Sequence, residues 1–287
     1  MNTDVLKTFI ILSELKNFTR TADQMFVAQS TVTNRISELE REIGKNLFVR
    51  GKKGVQLTRE GALFLNYAQK IVELEESYYQ ELNTTQPYRT FLRIGTTATI
   101  YDSWLDSLID YCNEPGKQVA INVNLDHSQT LLMQIQDYLY DIVFTYYPLN
   151  KAGFSCEIFH TDDLVLVTSP RNERFASGIR KEELTQIAYL MNNFALQDVG
   201  LFVRELFPSH YQFRFQTDNG TIVPPILLRG IGYSFLPRNL VREYLQNGQL
   251  ISIPLLDFET PKVTSYCVYR NNAEGVQDLI GFLKSHF

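Results

Sequence analysis

The 287-residue chain is poor in the residues that build metal and redox sites: three cysteines, Cys112, Cys156 and Cys267, lie far apart with no C-x-x-C, and four histidines, His127, His160, His210 and His286, are scattered. Neither a zinc site nor a structural disulfide is therefore expected, and the thiols read as buried groups, Cys112 on a helix and the other two in strands. No G-x-S-x-G, Walker loop or H-E-x-x-H occurs, which removes the sequence handles for common hydrolase, nucleotide-binding and zinc-protease chemistry. Gly230-Ile231-Gly232-Tyr233-Ser234-Phe235 matches only the opening of a dinucleotide fingerprint, because the third glycine is missing and a strand follows where a helix is required. Long uncharged apolar runs are also lacking, and Asp4 and Lys7 interrupt the first apolar stretch. No membrane span or secretory segment is expected, and the expected location is the cytoplasm. Catalytic residues, metals and cofactors are none by this reading. Trp104, the single tryptophan, is expected in the core.

Charge is present but unevenly placed. Residues 1 to 60 hold ten Lys or Arg against seven Asp or Glu, a net of +3, whereas the whole chain carries -5. A local basic excess is the footprint of a polyanion-binding surface. It coincides with an unusual helix. Val32, Ile36, Leu39 and Ile43 fall at i, i+4, i+7 and i+11 as one apolar stripe, while Ser30, Thr33, Asn34 and Ser37 form a second, polar stripe free of carboxylates for its first two turns. A solvated outer face has the same periodicity. Its neighbours favour a groove-entering helix instead. Leu6, Phe9 and Ile10 mark one helix, Thr19 can cap a second through Ala22 to Met25 or Phe26, and a tight connection at Val27-Ala28 leads into the polar-faced helix. Helix-turn-helix units have this order. Leu47-Phe48-Val49 and Val55-Gln56-Leu57 then flank Arg50-Gly51-Lys52-Lys53-Gly54, a winged hairpin with a cationic tip suited to phosphate or minor-groove contact. Gln29, Ser30, Thr31, Thr33, Asn34, Arg35, Arg50, Lys52 and Lys53 are the candidate DNA contacts.

The run from Leu6 to Gly61 resembles the DNA-binding domain of the LysR-type transcriptional regulators. The positions that carry the likeness are Phe9, Asn17-Phe18-Thr19, Ala22, Met25, Gln29-Ser30, Val32-Thr33, Ile36, Leu39-Glu40, Ile43-Gly44, Leu47-Phe48, Arg50, Leu57-Thr58 and Gly61. Thr21, Ala28 and Arg35 depart from the usual alanine, Ser/Thr cap and glutamine. Loss of the cap at Ala28 should weaken the helix start by about 1 kcal/mol, and Arg35 prevents base preference from being carried over.

Thr58 opens a long helix in which Phe64, Tyr67, Ile71, Leu74 and Tyr78 recur at spacings of 3, 4, 3 and 4. A seam of that period pairs helices, and the resemblance also implies a dimerisation helix. A twofold dimer, or a tetramer built from it, then expects a roughly dyad-symmetric DNA site. Asn83 to Pro87 reads as an exposed hinge.

From Phe91 onward strands alternate with helices. Strands are expected at Phe91–Gly95, Val119–Leu125, Asp141–Thr145, Leu164–Thr168, Ile187–Met191, Gln212–Thr217, Gly232–Leu236 and Val263–Tyr269. Helices are expected at Trp104–Tyr111, Gln129–Leu139, Leu201–Phe207, Ile222–Leu228, Arg238–Gln246 and Glu274–His286. Alternation predicts parallel sheets with a ligand crevice at the strands' carboxyl ends. The segment resembles the periplasmic-binding-protein-like (type 2) effector domain of the same family, two α/β subdomains joined by two crossovers near Thr161–Leu164 and Pro261–Ser265. Thr96, Thr97, Thr99, Ser128, Thr145, Tyr146, Asn192, Asn193 and Thr217 are the expected crevice-lining residues, since they end strands or start helices, and the resemblance implies that they hold a small effector between the subdomains. A small anion, such as a carboxylate or sulfate-like metabolite, suits hydroxyls gathered at helix starts.

The expected architecture is therefore multidomain: a mainly-α winged helix-turn-helix domain at 1–60, a linker helix at 58–83, a hinge at 84–90 and an α/β effector domain at 91–287. Within the last, subdomain I is 91–162 with 265–287, and subdomain II is 163–264. The expected function is a DNA-binding regulator modulated by a small effector. The competing reading is a cytoplasmic small-molecule-binding protein or cryptic enzyme on a binding-protein scaffold, its N-terminal helices serving assembly alone; assembly requires neither the basic wing nor the carboxylate-free stripe.

Overall fold

The computed structural model describes residues 2–51, 54–82, 88–194 and 198–286. Lys52, Lys53 and the Asn83–Pro87 stretch lie outside the described residues. The chain divides into two compact units, one of residues 1–87 with 137–139 and a second of residues 88–136 with 140–287.

The first unit opens with α1 (Thr3–Leu15), whose Asn2 cap accepts from the Asp4 N–H, and α2 (Phe18–Gln24). Asn17, not Thr19 as expected, caps α2: its side chain accepts from the N–H groups of both Thr19 and Arg20, leaving Thr19 inside the first turn. The third helix, α3 (Gln29–Ile43), ends at Gly44 in the left-handed region, the conformation that releases the chain toward the wing. There β1 (Phe48–Gly51) and β2 (Gly54–Leu57) pair antiparallel, Phe48 opposite Leu57 and Arg50 opposite Val55. The long α4 (Arg59–Leu82) follows, and Thr58 caps it as expected, its hydroxyl accepting from the Gly61 N–H at 2.9 Å. Leu6, Phe9, Leu12, Ile36, Leu39, Leu47, Ala68 and Val72 form one buried cluster. The Phe9 ring lies 5.2 Å from both Phe48 and Phe64, so helix, wing and linker helix share one core.

The second unit begins with β3 (Thr90–Thr96), α5 (Ala98–Trp104), α6 (Leu108–Asn113), β4 (Val119–Leu125), α7 (Ser128–Gln136), β5 (Ile142–Thr145) and β6 (Phe154–Thr168). It continues through β7 (Met191–Asn192), α8 (Asp198–Glu205), β8 (Gln216–Thr217), α9 (Val223–Leu228), β9 (Tyr233–Pro237), α10 (Arg242–Gln246), β10 (Ile251–Ser252), β11 (Lys262–Arg270) and α11 (Val276–Ser285), with short 3-10 turns at Gly220–Ile222 and Asn239–Val241 among others. The sheet is mixed rather than parallel, which corrects the expectation. β3 runs parallel to β4 and β5, but β11 is antiparallel to β5 and β6, and β9 and β10 are antiparallel to β6. Two long strands returning between the lobes cause this. Phe154 to Asp163 of β6 pairs with β11, and from Leu164 onward β6 pairs with β9, so one unbroken strand passes from the first lobe into the second.

Local expectations also shift. The helix expected at Trp104–Tyr111 is two helices broken at Leu105–Ser107. Of Ile187–Met191 and Gln212–Thr217, only Met191–Asn192 and Gln216–Thr217 form a ladder, because Tyr189, Phe207, Tyr211 and Phe213 gather into one aromatic cluster with ring separations of 4.9 to 5.9 Å. Cys267 alone is buried, while Cys112 and Cys156 are half-buried. Burial first, then the Glu157 carboxylate, pushes the Cys267 thiol up to about 12. Cys156 faces Val268 and Cys267 faces Glu157 across the ladder, so these two side chains leave opposite faces of the sheet and do not form a pair.

Candidate functional site

In the helix-turn-helix, Val32, Ile36 and Leu39 turn inward and are buried, which presents the polar stripe outward. Gln29, Ser30, Asn34 and Ser37 are exposed, and Thr31 and Thr33 half-buried. Thr33 donates to the Gln29 carbonyl at 3.1 Å. Ala28 starts α3 without any side-chain cap, so the first amides of the helix are not covered by their own cap. Arg35 behaves differently from its neighbours: its guanidinium donates to the Thr8 hydroxyl at 3.1 Å and lies 3.5 Å from the Asp4 carboxylate, both on α1. It braces α3 against α1. The wing is tied to α3 by Glu40, whose carboxylate accepts from the Leu47 and Phe48 N–H groups at 2.7 and 3.0 Å.

On α4 the expected seam divides. Phe64 packs into the domain core against Phe9, which corrects its assignment to a dimer seam, because the helix turns that residue toward α1. Tyr67, Ile71, Leu74 and Tyr78 remain exposed, and Leu63 joins them.

Between the two lobes of the second unit lies a cavity of about 300 Å³. Of the candidate effector contacts, Thr97, Thr99 and Ser128 line it from one lobe, and Phe194 lines it from the other. Asp126, His127, Asp218 and Asn219 also line it; none of the four is among the expected contacts, since loop residues of this kind carry no periodic signal. Several expected contacts are instead structural. Thr96 and Thr145 are fully buried with hydroxyls donating to the carbonyls of Thr97 and Tyr147. Asn192 is buried, its amide donating to the Ser234 hydroxyl and the Phe235 carbonyl, and Thr217 holds its own turn through Asn219. Asn193 donates its backbone N–H to Thr217. Tyr146 is buried behind these residues, and burial drives its hydroxyl well above the ordinary range, opposed by hydrogen bonds with Thr97 and Thr99. Its ring meets Phe194 of the other lobe at 5.4 Å. Elsewhere in this unit, the Asn239 N–H donates to Asp162 at 2.9 Å and the half-buried Trp104 ring lies 3.6 Å from the His160 ring, tilted by 36°. Burial raises the Asp162 carboxyl. Burial also lowers His160, against the pull of Asp162. A larger cavity of about 650 Å³, lined by Arg214 and Ile226 among others, lies within the second lobe alone, so a ligand there would not bridge the lobes.

Two family descriptions match the sequence: "Bacterial regulatory helix-turn-helix protein, lysR family" over residues 3–62 and "LysR substrate binding domain" over residues 86–287. The chain belongs to the LysR family of transcriptional regulators. Its relatives include the HTH-type transcriptional regulator CitR of Bacillus subtilis (strain 168), 30% identical over 290 residues and 98% of each chain. The HTH-type transcriptional regulator HdfR of Salmonella schwarzengrund (strain CVM19633) is 25% identical over 290 residues, 99% of this chain and 98% of its own. Among solved structures, CbnR, a LysR family transcriptional regulator, shares the fold with a TM-score of 0.75 at 16% identity, covering 100% of this chain and 99% of its own. CbnR complexed with its target DNA gives 0.71 at the same identity, covering 100% and 98%. This LysR-type regulator thus joins a DNA-binding helix-turn-helix domain to an effector-binding domain. The family is not a class of enzymes, and no helix among the described residues is long and apolar enough to cross a membrane.

Proposed function

We propose that α3 enters the major groove with Gln29, Ser30, Thr33 and Asn34 toward the bases, and that the wing, through Arg50, Lys52 and Lys53, holds the adjacent backbone or minor groove. Thr31 contributes near the helix start, and Arg35 acts by bracing α3 on α1. The observation that carries this reading is the outward stripe of short polar side chains on a helix whose apolar stripe is spent on the core. Gln and Asn read base edges in pairs, and Ser and Thr reach phosphates.

The exposed α4 stripe of Tyr67, Ile71, Leu74 and Tyr78, extended by Leu63, pairs two copies in the cytoplasm, and the dimer or a tetramer of it binds a roughly dyad-symmetric site. A small effector occupies the interlobe cavity at Thr97, Thr99 and Ser128 and alters the arrangement of the lobes. Such coupling requires different effector affinity for the two arrangements. The regulator carries out no catalysis. DNA sites selected from a random pool by the full-length protein supply the test: Asn34→Ala should change the selected sequence and Arg50→Ala should weaken all sites together, with retention falling steeply in salt. Identical retention by wild type and both variants would sink the reading.

A further inference from the structure

The interlobe cavity carries charge of one sign. Asp126 and Asp218 contribute carboxylates from opposite lobes, and no lysine or arginine lines it among the described residues. The expectation of a simple anion meets this lining directly, since a bound carboxylate would sit beside two others with His127 as the nearest side chain able to carry positive charge. The two acids are also not consumed by the fold. Among the described residues, Asp126 accepts only from the neighbouring His127 N–H at 2.6 Å, and Asp218 pairs only with His127 Nε2 at 3.4 Å. That last contact spans the cavity mouth from lobe to lobe. The Thr97 hydroxyl accepts from the Ile100 N–H and the Ser128 hydroxyl from the Tyr146 N–H, so each keeps its proton to donate to a polar group of a ligand, but neither supplies a positive charge to offset the two carboxylates. Phe194 adds an apolar ring to the wall, a surface that also favours a cation.

We propose that the effector of this regulator bears an ammonium group, which sits between Asp126 and Asp218 and replaces His127 as the partner of Asp218. The inference rests on the reading of this cavity as the effector site. An ammonium there donates to carboxylates on both lobes at once, so it draws the lobes together with a force that a neutral or anionic ligand of the same shape lacks. A second charge of opposite sign on the effector, as in an amino acid, is compatible with this placement.

Thermal denaturation of the full-length protein tests it, using small molecules extracted from the cells that express it and split on an acidified sulfonate resin, which retains every amine. The retained fraction should raise the melting temperature by roughly 5 °C near saturation, and the unretained fraction should not. Asp218→Asn and Asp126→Asn should each melt like wild type without ligand and lose that shift, with affinity for a defined amine recovered from the fraction falling about tenfold or more. A shift produced by the unretained fraction alone overturns the ammonium and leaves the effector cavity standing. An amine shift kept in full by both variants overturns the placement. If neither fraction shifts the protein, the ammonium and the effector reading fall together.

Discussion

A Cβ built on Gly61 would lie 2.1 Å from the carbonyl oxygen of Leu47. The first turn of α4 therefore presses directly on the backbone that leads into the wing, and the same junction is pinned by the Thr58 hydroxyl, which donates to the Asn46 carbonyl at 2.8 Å. Gly61→Ala should cost about 3 kcal/mol, because neither backbone can withdraw without opening the Phe9 core. Urea denaturation of residues 1–82 within the full chain, followed by a tryptophan-independent probe such as helical circular dichroism, would reveal it as a separate early transition. A variant indistinguishable from wild type would mean that wing and α4 are less firmly joined than this contact requires.

Arg35 and Asn34 are neighbours in sequence with opposite expected phenotypes. Arg35 is held by Thr8 and Asp4 of α1, whereas Asn34 is exposed. Arg35→Ala should destabilise the N-terminal unit by about 1 kcal/mol and lower affinity for all selected sites alike. A change in which bases are selected would show that Arg35 reaches DNA after all.

How much of this was legible in the sequence depends on what kind of signal each residue carries. Val32, Ile36 and Leu39 announce a buried face because helical periodicity is local, and the start of α4 at Thr58 needs only cap chemistry. The Arg35 brace was hidden, since it depends on a partner 27 residues earlier. Phe64 was misassigned because a 3-4 spacing does not distinguish a seam facing a second copy from one facing α1. In the effector domain the order of strands and helices was readable, but the mixed sheet was not: two returning strands decide its direction, and their pairing is long-range. Asp126 and Asp218 carry no pattern at all until the two lobes meet.

Phe26 lies in the turn before α3 with φ 53° and is 95% exposed. A bulky side chain in the left-handed region costs about 1 kcal/mol or more, and here no burial offsets it. Phe26→Asn, which tolerates that conformation, should stabilise the fold by about 1 kcal/mol, seen as a higher denaturation midpoint with an unchanged slope. A lower midpoint would show that the ring packs on something in solution.

Ile71 sits in the exposed line of α4 between Tyr67 and Leu74. If that line pairs two copies, Ile71→Asp places two carboxylates in an apolar seam and should raise the dimer dissociation constant at least a hundredfold, since each buried unpaired charge costs several kcal/mol. Sedimentation at micromolar concentration would read this as loss of the dimer. An unchanged mass would locate the dimer interface elsewhere.

Asp141 gives the effector domain a defined acid sensitivity. Its carboxylate accepts from the Arg93 backbone N–H at 2.9 Å and from the Arg93 guanidinium at 3.1 and 3.0 Å, and it also pairs with Arg270. Burial opposes its ionisation, but the Arg93 hydrogen bonds and the two guanidinium charges outweigh it and hold the carboxyl below its ordinary value. A folded-state value below the unfolded one, about 3.9, means that this stabilisation is complete above that pH and is lost as pH falls through the folded-state value. Asp141→Asn leaves two largely buried cations facing a neutral amide and should cost about 3 kcal/mol at neutral pH. The gap between wild type and variant should then narrow in acid, because only the wild type has this proton to gain. Denaturation midpoints measured for both proteins from neutral pH down to about pH 3 check the sign, and a gap that stays constant would show that Asp141 contributes packing rather than charge.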